Sequence, residues 1–103
     1  MQWQELSINE QLGNVGSEIG RATKWYKAGN NKLMIGALKR AFELLDLTIS
    51  DPRWQNHRQR ELKMAREVLV DTFYGDRQYT DTLEKMEKYF FEFAVAARNK
   101  KNL

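Results

Sequence analysis

Ile8, Leu12, Val15, Ile19, Ala22 and Tyr26 follow one another at alternating steps of four and three residues. Apolar residues at that rhythm lie on one side of an α-helix, so the first quarter of the chain reads as an amphipathic helix with a face to bury. Ser7-Ile8-Asn9-Glu10 opens it as a capping box: the hydroxyl and the carboxylate satisfy amides that have no partner in the first turn. Gly29 closes it, with Lys24 and Lys27 in the last turns, where cations suit the helix dipole.

Three later segments repeat the pattern. Asn30-Asn31 caps a second helix with the stripe Ile35, Leu38, Phe42, Leu45 and Ile49, widened by Ala37, Ala41 and Leu44. Asp51-Pro52 ends it, because the residue before proline is driven away from helical geometry while proline suits a first turn. A third helix is expected from Pro52, or a turn later from Asn56, through Leu62, Ala65, Leu69 and Phe73 to Gly75. Asp81-Thr82-Leu83-Glu84 is a second capping-box pattern, and it predicts a fourth helix with Leu83, Met86, Phe90, Phe93 and Ala97 inward. Tyr89, Phe91 and Val95 make this last helix apolar on more than one side, so it should be the most buried or should face a partner chain as well.

Four helices with short connections pack as antiparallel neighbours, which predicts an all-α, four-helix up-and-down bundle. With 103 residues the chain supports one core, and residues 1–103 read as a single domain. The absence of cysteine excludes disulfides, thiolate catalysis and sulfur-ligated metals, and a single histidine excludes a multi-histidine metal site within one chain. No segment approaches the roughly 18 consecutive apolar residues of a membrane span. Gln2, Trp3, Gln4 and Glu5 are unlike a secretory signal, so the expected location is cytoplasmic, with no membrane partner.

The segments GSEIGRATKW (16–25), AFELLDLTISDPRW (41–54), REVLVDTFYGD (66–76) and KYFFEFAVAAR (88–98) resemble a small uncharacterised family of bacterial, clostridial-type proteins. The resemblance implies a compact, self-contained helical domain. That family has no assigned activity, so it supplies no catalytic or binding residues.

Charge is segregated along the chain. Residues 53–66 hold Arg53, Arg58, Arg60, Lys63 and Arg66 against Glu61, a net of +4, and Arg98, Lys100 and Lys101 add +3. Because the whole chain is only +3, the remainder carries −4. In an up-and-down bundle both basic clusters fall at one pole, beside Trp54 and Trp3. Arg53, His57, Arg58, Arg60 and Lys100 are therefore the candidate anion- or nucleic-acid-binding residues, with arginine forks for phosphate and tryptophan for stacking. The competing reading is a set of solvated helix-end charges. Arg53-x-x-x-His57 falls one residue short of the Arg-x4–6-His pattern of helical ribonuclease toxins, and the neighbouring cations favour neutral imidazole.

Glu43…Asp46 and Glu67…Asp71 each place two acids about one turn apart, a partial likeness to the carboxylate pairs that hold Mg²⁺ in helical nucleotide pyrophosphatases. Asp46 and Asp71 are embedded in apolar runs. Buried there they need cations, and Arg21, Arg40 and Arg66 are on hand, so an interhelical polar network of Asp46, Asp71, Arg21 and Arg66 is the simpler expectation. Gly13, Gly16 and Gly20 share one stripe of the first helix, which predicts a close-packing neighbour. No catalytic residue, metal ligand or cofactor motif stands out. The expected role is a non-enzymatic interaction or assembly module, with a protein partner or a homodimer. Binding of nucleic acid or phosphate at the basic pole is the alternative, and Mg²⁺-dependent nucleotide hydrolysis the second.

Overall fold

In the computed structural model the backbone is described for residues 2–74 and 79–101; within these, the side chains of residues 57, 73, 74, 79–83, 100 and 101 lie outside the description. A short 3-10 turn, Trp3–Glu5, leads into α1 (Ile8–Lys27), α2 (Asn31–Ile49), a second 3-10 turn at Pro52–Trp54, α3 (His57–Tyr74) and α4 (Tyr79–Lys101). No strand occurs among the described residues. None of these helices is long and apolar enough to cross a membrane.

Local chemistry sets most of the boundaries. The Ser7 hydroxyl accepts from the Glu10 amide (3.1 Å), and the Glu10 carboxylate accepts from the Ser7 amide (3.0 Å). Gly29 takes φ +74°, the left-handed turn that ends α1 without side-chain strain. Asn30 then caps α2 by accepting from the Leu33 amide at 3.0 Å. Asp51 and Pro52 break the chain as expected, but into a 3-10 turn, with α3 beginning only at His57. The side-chain amides of Gln55 and Gln59 both donate to the Ile49 carbonyl, satisfying the otherwise open end of α2. At the other end of the molecule α4 already runs from Tyr79, so the expected cap at Asp81 falls inside the first turn. Asp81 and Leu83 themselves have side chains outside the described set.

The helices run alternately up and down. Along α1, Gly13, Gly16 and Gly20 meet Ala94, Phe90 and Glu87 in descending order, so α4 is antiparallel to α1 and very close to it. A Cβ on Gly16 would lie 2.8 Å from the Phe90 Cβ, nearer than any side chain tolerates. The Lys27 ammonium extends the seam to Glu84 at 2.6 Å, and that carboxylate raises the lysine pKa. α1 also packs against α2, and α3 closes the bundle against α2 and α4.

Leu12, Val15, Ile19 and Ala22 of α1, Leu38 and Leu45 of α2, Leu62 and Leu69 of α3 and Phe90 of α4 form the buried centre. On α2 the inward face is rotated from the expected stripe: Met34 and Ala37 are buried while Ile35 is 37% exposed. α4 is not buried on every side, because Phe91 stands 55% exposed and is not part of the core.

Candidate functional site

The two basic segments do share a pole. The Trp54 indole N–H donates to Gln11 Oε1 (3.1 Å) near the start of α1, and the Arg58 guanidinium lies 5.5 Å from the Phe93 ring centroid on α4. Arg98 lines a cleft of about 600 Å³ together with Trp3, Asn9 and Asn14. At this pole, however, Arg53 and Arg58 are turned onto partners within the chain. Arg53 donates from Nε and Nη2 to the buried Asp51 carboxylate, at 2.7 Å from Nη2, and stacks 4.5 Å over the Trp54 ring. Arg58 donates to Glu61 at 3.1 Å. Arg60 alone of the five candidates is exposed with no partner among the described residues, and His57 and Lys100 have side chains outside that set. Arg53 belongs to the 3-10 turn and His57 to the first residue of α3, so the Arg-x-x-x-His pair does not share one continuous helix.

Beneath the pole lies a polar hub that the sequence pattern hides. Gln11 sits on the apolar side of α1 and is fully buried; its amide donates to the Trp3 carbonyl (2.9 Å) and to Asp51 Oδ2 (3.2 Å). The Asp51 carboxylate also accepts from the Arg53 amide at 3.0 Å. Hydrogen bonds from Arg53 hold its pKa well below the usual carboxylate range, although burial pushes the other way. The hydrogen bonds of Gln11 and Asp51 fasten Trp3, Gln11 and the Asp51–Pro52 corner together, which makes the hub a structural joint.

The carboxylates expected to act together point to different clefts. Glu43 lines a cleft between α2 and α3 with Lys39, Phe42, Arg66 and Val70. Asp46 is bound there by Arg66, at 2.6 Å from Nε and 3.2 Å from Nη2. Glu67 and Asp71 instead border the opposite side of α3. No group of three possible metal-binding side chains occurs among the described residues. The expected polar network is therefore half right. Asp46–Arg66 forms, but at the surface, and Arg21 joins Arg40 on the buried Glu18 instead of reaching an aspartate. Asp71 is exposed, because the helical turn that buries Leu69 and Thr72 carries its neighbour outward. Since the Asp46–Arg66 pair is water-accessible, Asp46→Ala is expected to lower stability by less than about 1 kcal/mol in a urea titration.

The remaining feature is a groove between α3 and α4. Met64, Ala65, Val68, Met86 and Tyr89 give it an apolar floor, and Glu61, Glu67 and Asp71 border it; its volume is about 420 Å³. No lysine or arginine lines it. Met64 is 67% and Val68 43% exposed, although both lie beside the core residues Leu62 and Leu69 and the half-buried Ala65. The Tyr89 hydroxyl donates to Glu61 at 2.6 Å, and burial together with that carboxylate pushes the phenol pKa upward. Met64 and Val68 had a legible signal: Glu61, Met64, Val68 and Asp71 form a second 3-4-3 stripe on α3 beside the core stripe. Gln11 had none, since a glutamine among apolar residues declares its burial only through its tertiary partners.

No protein-family model, no curated protein and no solved structure matches this chain, so the groove is interpreted from its own chemistry.

Proposed function

We propose that the protein is a non-enzymatic interaction module whose docking surface is the α3–α4 groove. The observation that carries this reading is the exposure of Met64 and Val68 over a preformed apolar floor with three carboxylates around it. Exposed methionine in a groove is a surface that adapts to another polypeptide's side chains, and a helix laid into such a groove removes its apolar area from water. Catalysis has less support, because the acids that would hold a metal lie in separate clefts. An anion-binding pole has less support as well, since Arg53 and Arg58 already satisfy carboxylates of the same chain.

The test is site-specific photocrosslinking in cells that naturally make the protein. A benzophenone side chain at position 64 is expected to give a discrete protein adduct that disappears when Val68→Glu is added. The same group at position 32, on the exposed start of α2, is expected to give none. A position-64 lane without any adduct overturns the proposal.

A further inference from the structure

The groove reading leaves open what occupies it, and the outer face of α4 supplies an answer. Lys88, Phe91, Val95 and Arg98 follow one another at steps of three, four and three. They form a narrow ridge with bases at its ends and apolar residues in its middle. Phe91 is 55% exposed, and Lys88 and Arg98 are exposed as well. Val95 is half-buried, and neither Lys88 nor Arg98 has an ion-pair partner among the described residues. α4 meets α1 through Glu87, Phe90 and Ala94. It faces α3 through Met86, Tyr89 and the Phe93 ring that Arg58 overlies.

The groove edge of α3 has the inverse order at the same spacing: Glu61, Met64, Val68, Asp71. Ten residues of helix separate the terminal charges in both stripes, about 15 Å at 1.5 Å per residue. Resting on the docking reading above, we infer that the occupant of the α3–α4 groove is helix α4 of a second copy of this chain. Phe91 and Val95 lie on Met64, Val68 and Met86. One of the bases Lys88 and Arg98 reaches the Asp71 end, which Glu67 reinforces, while Glu61 at the other end is already held by Arg58 and Tyr89. The ridge has a base at each end, so either direction of the incoming helix places a base against Glu67 and Asp71. Arg60 and Lys63 are exposed on α3 but do not line the groove; Arg58 offsets the charge of Glu61, so Glu67 and Asp71 are the acids that face the contact.

The placement of ridge and groove also dictates the symmetry. The groove opens on the side of α4 that faces α3, whereas Phe91 and Arg98 border a cleft on its α1 side with Gly16 and Gly20. One protomer thus gives its ridge to a second and takes the ridge of a third in its groove. Such a contact is heterologous, and it builds a ring or a filament instead of closing as a twofold dimer.

Sedimentation of the purified full chain tests this. From about 10 µM to about 1 mM the mean mass is expected to rise past that of a dimer, and 0.5 M NaCl is expected to weaken association about tenfold or more through screening of the end charges. Glu67→Lys with Asp71→Lys makes a basic groove against a basic ridge. Lys88→Glu with Arg98→Glu makes an acidic ridge against an acidic groove. Each double variant alone is expected to stay monomeric, and an equimolar mixture is expected to associate again, because every groove then meets a ridge of opposite charge. Recovery in the mixture also shows that both variants are folded. A wild-type chain that is monomeric at about 1 mM, one that stops at a dimer, or a mixture that fails to recover each overturns the inference. If position 64 crosslinks to a different protein while the wild type stays monomeric, docking in the groove stands and self-occupancy falls.

Discussion

Gly16→Ala lowers the unfolding free energy by about 1–3 kcal/mol, even though alanine is the better helix former by about 1 kcal/mol. The added methyl would lie 2.8 Å from the Phe90 Cβ and 3.3 Å from the Phe90 carbonyl carbon. Neither atom is the free end of a flexible side chain, so relief requires α1 and α4 to separate along their seam. Gly16→Leu drives them further apart and costs more, about 3 kcal/mol or above. Gly36→Ala is the internal control. Its Cβ would meet only the Arg40 guanidinium, at 3.6 Å, and it should stabilise by about 0.5–1 kcal/mol through helix propensity alone. Urea midpoints for the three variants decide the matter. Should Gly16→Ala stabilise as Gly36→Ala does, the helices do not approach as closely as the glycine seam requires.

That seam shows what a linear reading can and cannot reach. Three glycines on one side of an amphipathic helix announce a close neighbour, because each gives up helix stability for space. They do not say which helix fills the space; here Phe90, Ala94 and Glu87 assign it to α4. The four helices were legible because apolar period and capping chemistry agreed at nearly every boundary. The face of α2 was less so. Met34 and Ile35 are adjacent and equally apolar, and tertiary packing alone chooses Met34 for the interior. The capping pattern at Asp81 misled by three residues, since acidic and hydroxyl side chains also suit the first turn of a helix that has already begun. For the groove, the α3 sequence carried a second stripe all along. The eye follows Leu62, Ala65 and Leu69 because they are the stronger signal, whereas Met64 and Val68 gain meaning only when Met86 and Tyr89 of α4 stand opposite.

The aspartates make the sharpest contrast, and they lead to the second large effect. Asp46 and Asp71 attract attention because leucine and valine surround them, yet both are exposed. Asp51 sits at an ordinary-looking turn and is buried, accepting from Gln11, from the Arg53 amide and from its guanidinium. Asp51→Ala takes one of two acceptors from the buried Gln11 amide, removes the partner of Arg53 and uncaps the 3-10 turn, so a loss of about 2–4 kcal/mol is expected, with Trp54 fluorescence reporting the loosened corner. The carboxylate also imposes a pH dependence of definite sign. Its folded pKa lies below the ordinary value of 3.8, owing first to the Arg53 hydrogen bonds. Its contribution is therefore complete above about pH 4–5 and drains away as acid protonates the unfolded chain first, by at most about 1.4 kcal/mol per pH unit. Asp51→Asn removes that titration while keeping an acceptor in place. The gap in urea midpoint between wild type and Asp51→Asn should thus be constant from pH 7 to pH 5 and should narrow from pH 4 to pH 2.5. A gap that stays constant down to pH 2.5 means that the carboxylate contributes nothing through its charge, and that hydrogen-bond geometry alone holds the corner.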